Sequence, residues 1–266
     1  PAVAHPAAGP SQVTSFLPLL GNTHTYDRVS AIRALLDRMP MNLSPADANL
    51  IMQGLDGQRA AGLGIIASHL ADRLDGNDLA QLLNPLTTYD RVNSIRMLVG
   101  TGKVKEGLSA QEAKVVLEGS QGQRAGGINA LASHLAPQLS GKDAAIVLGE
   151  MTTYDRVNSI RLLASTNKLS RALQPEEARL VLEGSGGQRA SGIGAIATNL
   201  TDGLDGKSLA MILGETMTYD RLNSLRTLSD ARRIGKLQTA ELELILQNME
   251  SQRATALQLM AQYLPR

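Results

Sequence analysis

The chain has 266 residues, and its 26 Lys and Arg against 25 Asp and Glu give a formal net charge of +1. A charge this close to zero provides no long-range attraction to nucleic acid or to an anionic membrane surface. Cysteine and tryptophan are absent, and one Phe and five Tyr are the whole aromatic content. These counts exclude disulfides and thiolate chemistry, and they argue against aromatic surfaces that stack on sugars or single-stranded nucleic acid.

The first segment, residues 1–14, is predicted to be an extended tail rich in Pro and Ala. Its opening has the composition of a linker, or of a chain that continues from a removed segment. The second interpretation favours a periplasmic or secreted location over a cytoplasmic one. No apolar run is long enough to cross a bilayer, so we expect no membrane insertion. Residues 15–266 are predicted to form a single helical-repeat domain.

A motif recurs four times after this segment. The copy at residues 153–161 reads Thr-Tyr-Asp-Arg-Val-Asn-Ser-Ile-Arg, and successive motif tyrosines are 63, 65 and 65 residues apart. A second series, Gln-Arg-Ala, lies between these copies and divides the chain into eight units of about 32 residues. The Gln-Arg-Ala copies are at 58–60, 123–125, 188–190 and 252–254. A fixed period is typical of stacked repeats, in which each unit buries its apolar face against its neighbours.

Each unit is predicted to be a pair of antiparallel helices, here called its first and second helix. Val157, Ile160 and Leu163 have the spacing of one helical face. The Thr before each motif Tyr is predicted to be an N-cap, with the next Asp in the first turn. Second helices begin near Ser44, Ser109, Gln174 and Gln238, and glycines at 54, 119 and 184 end three of them.

The fold class is therefore all-α, an α-solenoid of eight helix-pair repeats that form four double repeats, either open or closed into an α-toroid. The first helices of the Gln series carry glycines such as Gly62 and Gly192. Because a glycine within a helix costs about 1 kcal/mol relative to alanine, we expect a close approach of a neighbouring helix there.

The two ends of the series are complementary. The series begins with what has the pattern of a second helix, residues 16–20, and finishes with a first helix, residues 252–264. We expect these halves to complete one unit. They would do so either within one chain, closing the toroid, or between chains, giving a head-to-tail ring or filament.

All eight units share an arginine in the first turn of the first helix, where the helix dipole disfavours a cation. The structural hypothesis is that each guanidinium contacts the carbonyl end of the preceding helix, or acids near it such as Glu118, Glu150, Glu183 and Glu215. The functional hypothesis is a basic row that holds an anionic ligand. These arginines are Arg28, Arg59, Arg91, Arg124, Arg156, Arg189, Arg221 and Arg253.

The motif also predicts a rim of exposed residues that could bind a partner, since Tyr and Arg are enriched at interfaces. The alternative is a hydrophobic staple with a cap, repeated because the unit is repeated. The tyrosines are Tyr26, Tyr89, Tyr154 and Tyr219, the aspartates are Asp27, Asp90, Asp155 and Asp220, and the arginines are Arg33, Arg96, Arg161 and Arg226.

No metal site, cofactor site or catalytic set is predicted. His69 and His134 occupy equivalent positions, but later units have Asn199 and Tyr263 there, so the repeat does not preserve a metal ligand. No serine, carboxylate pair or phosphate-binding loop departs from its repeat equivalents. We therefore expect a chain that is not an enzyme.

The Tyr-Asp-Arg-Val-x-x-Ile-Arg helix start, alternating with Leu-Ser-x-x-Glu-Ala-x-x-Val-Leu, resembles a family of bacterial helical repeats classed as a domain of unknown function. The resemblance covers residues 15–264, and it departs from the family in having Tyr rather than Phe and in its glycine-rich alternate helices. More broadly, the chain is similar to α-solenoids of the armadillo type, which generally bind proteins. The resemblance implies no catalytic residues.

The expected function is a non-enzymatic structural or protein-interaction scaffold, whose partner is another protein or a second copy of the chain bound head to tail. The alternative is a toroidal binding protein that holds a small or anionic ligand through its repeated Arg and Tyr. Neither function involves nucleic acid.

Overall fold

The computed structural model describes residues 13–39 and 41–265. Over these residues the chain forms sixteen α-helices: α1 Val13–Leu20, α2 Thr25–Leu36, α3 Pro45–Ile51, α4 Arg59–Ile66, α5 Gly76–Leu83, α6 Thr88–Gly100, α7 Ala110–Leu117, α8 Arg124–Leu131, α9 Gly141–Leu148, α10 Thr153–Ser165, α11 Pro175–Leu182, α12 Arg189–Ile196, α13 Gly206–Leu213, α14 Thr218–Asp230, α15 Thr239–Leu246 and α16 Arg253–Met260. Short 3₁₀ turns flank α4, α8, α12 and α16 on both sides.

The helices group into two compact units, one of residues 13–108 with 115–123 and the other of 109–114 with 124–265. In the first unit, α1 packs on α3, α3 on α5, α2 on α4 and α4 on α6. In the second unit, α8 packs on α10, α10 on α12, α12 on α14 and α14 on α16, while α9, α11, α13 and α15 pack on one another in order. Within each unit, first helices therefore form one layer and second helices the other, which confirms the predicted α-solenoid of helix pairs.

The terminal helices fall in the layers that the sequence predicts for them. Helix α1 packs against the second helix α3, and α16 packs against the first helix α14. Helix α1 begins at Val13, so the last two residues of the predicted tail belong to this helix. Residues 1–12 of that tail lie outside the described residues, and the single domain over 15–266 and ring closure stay predictions.

The Tyr-series helices begin with a turn that the sequence did not predict. Their first residues are Thr25, Thr88, Thr153 and Thr218, which have φ between 40 and 47°, uncommon for a β-branched residue. The Thr153 amide donates to the Gly184 carbonyl at 2.8 Å, and the other three make equivalent bonds. No threonine side chain caps these helices, so the predicted N-cap is wrong, whereas the acidic residue of the first turn is confirmed.

The other local signals agree with the structure. The Ser109 hydroxyl accepts from the Glu112 amide at 3.2 Å while the Glu112 carboxylate accepts from the Ser109 amide at 2.9 Å, which is the predicted capping box. The glycines after α3, α7 and α11 have φ between 77 and 83°, as expected of helix C-terminal stops. The predicted apolar face of α10 is buried.

Within a pair, a loop connects the first helix to the second. Isolated parallel β-bridges connect the loops of successive pairs. In one of them the Leu173 amide donates to the Asn199 carbonyl at 2.8 Å, and the Thr201 amide donates back to Leu173 at 3.0 Å. The bridges connect Leu43 with Leu70, Leu74 with Val104, Leu139 with Leu169, Leu173 with Leu200, and Leu204 with Ile234. They satisfy loop backbone groups that would otherwise need water.

Basic side chains at the ends of the Tyr-series helices reinforce these loops. Lys168 donates to the carbonyls of Ser133 and Leu135 at 3.0 and 2.6 Å. Lys103 and Arg233 make the same kind of contact with carbonyls of the preceding helix pair. Lys103, Lys168 and Arg233 each lie 14 residues after a motif tyrosine, so the 65-residue period preserves a basic residue at this position.

The glycines of the Gln-series helices fall into two groups, one with close neighbours and one without. A Cβ at Gly62 would lie 2.2 Å from Cδ1 of Leu55, and one at Gly192 would lie 2.7 Å from Cδ2 of Leu182. The predicted approach of a neighbouring helix is therefore present at Gly192, where the side chain belongs to α11, whereas at Gly62 the side chain belongs to the loop after α3. Gly64 and Gly194, by contrast, face open space.

Ser185 is a buried serine whose hydroxyl has no hydrogen-bond partner among the described residues. The equivalent positions in the first and last Tyr-series pairs are the apolar Leu55 and Met249. We expect Ser185→Ala to raise the free energy of unfolding by about 1 kcal/mol, because it removes a polar group that loses its water on folding. Urea denaturation would measure this, and a loss of stability would mean that the hydroxyl is satisfied.

Candidate interaction surfaces

The Tyr-series arginines are buried against backbone carbonyls. Arg156 of α10 donates from Nε to Val181 at 3.0 Å and from Nη2 to Leu180 at 2.9 Å, both at the C-terminal end of α11. Its Nη1 donates to Gly149 and Met151 in the loop after α9, at 2.8 and 3.3 Å. One guanidinium thus joins two successive second helices at their negative ends.

This arrangement repeats along the series. Arg221 and Arg91 each donate to four carbonyls in the same way, and Arg28 donates to two. Burial lowers the pKa of these guanidinium groups below the usual arginine value. The charge of Glu183 opposes that effect at Arg156. The groups remain charged at neutral pH because the arginine pKa starts so high.

The Gln-series arginines make a simpler contact. Arg189 of α12 donates from Nε and Nη2 to Ile212 and Met211 of α13, at 2.9 and 3.2 Å, and from Nη1 to Leu182 at 3.4 Å. Arg59 and Arg124 also donate to the second helices of their own pairs. The expected carbonyl contact is thus present, but it is mainly with the following helix, whose free C-terminal carbonyls lie beside the first turn. These donors are not directed toward a ligand site.

Arg253 of α16 differs from the seven others. It donates from Nη1 to Leu246 at 3.3 Å and forms an ion pair with Glu243 at 2.7 Å. Its side chain is 44 % exposed. Helix α16 is the last α-helix described, so no second helix of its own pair offers carbonyls to this guanidinium within the described residues.

The same helix exposes apolar residues that are buried elsewhere. Leu257 is 41 % exposed, whereas Leu63, Ile128 and Ile193, at the equivalent position, are 0 % exposed. Ala261 is exposed although its three equivalents are buried. We call this surface the α16 end face, and it consists of Arg253, Leu257 and Ala261.

The first described helix has a matching surface. Leu19 is 60 % exposed, whereas Leu82, Val147 and Ile212, at the equivalent position, are 0 % exposed. On the neighbouring α2, two aliphatic side chains are half-buried although their equivalents in α6 are buried. We call this surface the α1 end face, and it consists of Leu19, Gly21, Val29 and Leu35.

The rim residues lie where the motif predicts. The four motif tyrosines are 63–69 % exposed, which is incompatible with a buried staple. The motif aspartates and the arginines seven residues after each tyrosine are exposed too. Arg96 and Arg161 donate to Asn93 and Asn158 on their own helices, at 3.2 and 3.0 Å. The rim is a solvated stripe on each helix, and its binding role stays a prediction.

The second unit has a pocket of about 870 Å³ near the starts of α12 and α14. It contains Arg179 and Arg189 together with Glu183, Glu215 and Asp220. Acidic groups outnumber basic ones, and the Arg189 donors already contact carbonyls, so this pocket does not favour an anionic ligand.

The histidine positions contribute to loop contacts. His69 Nδ1 accepts from the Met41 amide at 3.5 Å, and the equivalent Asn199 donates to the Ser170 carbonyl at 3.1 Å. Within the described residues, no three His, Cys, Asp or Glu side chains are grouped as a metal site would require. In the same part of the chain, each helix is too short or too polar to span a membrane.

Comparison of the chain with protein-family models, with curated proteins and with solved structures gave no match. The resemblance to bacterial helical repeats therefore stays a prediction. The sequence predicted that the two terminal halves are complementary, but it did not identify which residues form the two end faces. Aligning α1 and α16 with their internal equivalents would have shown that Leu19 and Leu257 occupy positions where the other pairs have apolar core residues.

Proposed function

We propose that the chain is a non-enzymatic scaffold that associates with protein chains through its two end faces. The observation that carries this proposal is the exposure of Leu19 and Leu257 at positions that are wholly buried in every other equivalent repeat. An exposed apolar helix face favours association, since burying one leucine side chain is worth about 1.5–3 kcal/mol.

The chemistry of the buried charged groups also supports a scaffold. They are arginines that hold helix ends together through backbone carbonyls. A guanidinium has five donors and does not lose its proton in proteins, so it stabilises the packing of helix ends and does not act as a general acid or base.

Association can be measured as mass in solution by light scattering over about a hundredfold range of concentration, because assembly follows mass action. We expect the mass to rise with concentration, and Leu19→Glu or Leu257→Glu to abolish the rise by placing a charge in the interface. Leu50→Glu is the matched control, since Leu50 is 40 % exposed on α3 but belongs to neither end face. A constant monomer mass, or an equal effect of Leu50→Glu, would contradict the proposal.

A further inference from the structure

We infer that the partner at the end faces is a second copy of this chain, and that α16 of one copy pairs with α1 of the next as the first and second helices of one repeat. This inference rests on the proposed function, because it names the partner of the same two faces. Its argument comes from the internal pairs, which contain the same junction within one chain.

The pair α12–α13 gives the template for the hydrogen bonds. Arg189 donates from Nε to the Ile212 carbonyl and from Nη2 to the Met211 carbonyl. Ile212 lies seven residues before its motif tyrosine, and Leu19 lies seven residues before Tyr26. The Arg253 guanidinium would therefore donate to the carbonyls of Leu19 and of the residue before it, in the next copy.

Arg253 is already oriented for this contact. Its Nη1 donates to the Leu246 carbonyl of the preceding second helix at 3.3 Å, as Arg189 Nη1 donates to Leu182 at 3.4 Å. The Nη2 that Arg189 directs to its own second helix is, in Arg253, paired with the exposed Glu243. Only that surface ion pair must be exchanged for the junction to form.

The residue after α1 is a glycine, Gly21, at the position where the internal pairs place a guanidinium against a glycine. In the internal pairs, Gly149 follows α9 and Gly214 follows α13, and a Cβ there would lie 2.9 and 2.8 Å from Nε of Arg124 and Arg189. Gly21 follows α1 with φ +51°, close to the +58° and +53° of those glycines. A Cβ at Gly21 would meet only the Pro18 carbonyl, at 4.0 Å. The space beside Gly21 is therefore open, and no arginine of the described residues lies within 4 Å of that Cβ position.

The apolar residues of the two faces complete the match. In α12–α13, Ile193 and Ile212 are both fully buried, and their equivalents are Leu257 on α16 and Leu19 on α1. The faces are different from each other, so the contact is heterologous and each copy offers one of each. Such a contact builds a ring if the rotation closes and a filament if it does not.

The decisive experiment uses two full-length chains, each with one blocked face. Leu19→Glu blocks the α1 end face and leaves the α16 end face intact, and Leu257→Glu does the reverse. Each variant alone is expected to remain a monomer, and an equimolar mixture is expected to form a dimer and nothing larger. Sedimentation velocity measures the masses, and circular dichroism checks that both variants keep the helix content of the wild-type chain.

The guanidinium can be tested within the same mixture. Adding Arg253→Met to the Leu19→Glu chain is expected to weaken the mixed dimer at least about tenfold, since it removes charge-assisted bonds and leaves the α1 carbonyls without donors. Arg171→Met is the control, because Arg171 is exposed in the loop between α10 and α11 and belongs neither to the rim nor to an end face. An equal effect of the two substitutions would overturn the assigned role of Arg253.

The outcomes separate this inference from the proposed function. If wild-type chains assemble but the two blocked variants stay monomeric when mixed, the α16-on-α1 junction is wrong while association through the end faces survives. Dimers of either blocked variant alone would also overturn the junction, because they would require like faces to pair. Wild-type chains that remain monomers at every concentration would overturn both.

Discussion

Replacing Arg156 with leucine is expected to lower the free energy of unfolding by about 3–5 kcal/mol, because a buried, fully paired charge is removed and its acceptors are left unpaired. The guanidinium donates to four carbonyls, two at the end of α11 and two in the loop after α9. Leucine fills part of the space but donates to none of them. Urea denaturation followed by circular dichroism measures the loss.

The control for this prediction is Arg161→Leu on the same helix. Arg161 is exposed, and its guanidinium donates to the Asn158 side chain one turn away at 3.0 Å. We expect its replacement to change stability by no more than about 0.5 kcal/mol, as for most surface substitutions. If the two substitutions had similar effects, the carbonyl contacts of Arg156 would not be stabilising the stack.

Replacing Gly141 with alanine is expected to cost about 3 kcal/mol, although alanine is the better helix former. Gly141 is the first residue of α9, and a Cβ there would lie 2.3 Å from the Glu177 Cβ and 2.7 Å from its Cα and carbonyl oxygen. Because backbone atoms of α11 cannot rotate away, the two second helices would have to separate. The Gly141 amide would then also lose its 3.0 Å bond to the Glu177 carboxylate.

Gly194→Ala is the control, and we expect it to change the free energy of unfolding in the opposite direction. Gly194 lies within α12, and a Cβ there would meet nothing within 4 Å. Alanine is therefore expected to raise the free energy of unfolding by up to about 1 kcal/mol through helix propensity and a less flexible unfolded chain. Both variants can be compared by thermal unfolding, and a neutral or stabilising Gly141→Ala would mean that α9 and α11 are farther apart than described.

The fold could be predicted from the sequence because several helix boundaries are specified locally. Ser109 with Glu112 marks the start of α7, and the positive φ of Gly184 marks the turn after α11. The left-handed turn at Thr153 was not predictable, because its stability comes from a carbonyl of the next loop and not from the threonine side chain. Local propensity does not contain that information.

The site was harder to predict. The motif identified the exposed tyrosines and the arginine positions, but the direction of the Arg156 donors depends on which helix ends lie beside them in space. The exposure of Leu19 and Leu257 depends on a missing neighbour, whereas an apolar pattern only tells which residues prefer burial. The proposed function therefore rests on comparing the exposure of equivalent positions in three dimensions.

The four-carbonyl contacts of Arg91, Arg156 and Arg221 also affect how a unit comes apart. Each of these arginines connects its own helix pair to the pair before it. When one pair unfolds, hydrogen-bond donors or acceptors of the neighbouring pair therefore lose their partners. A folded pair next to an unfolded one thus has a high free energy. In a linear array of such elements, strong nearest-neighbour coupling suppresses fraying and makes adjacent pairs melt together. The guanidinium groups thus act as the source of cooperativity along the stack, in addition to fastening individual helices.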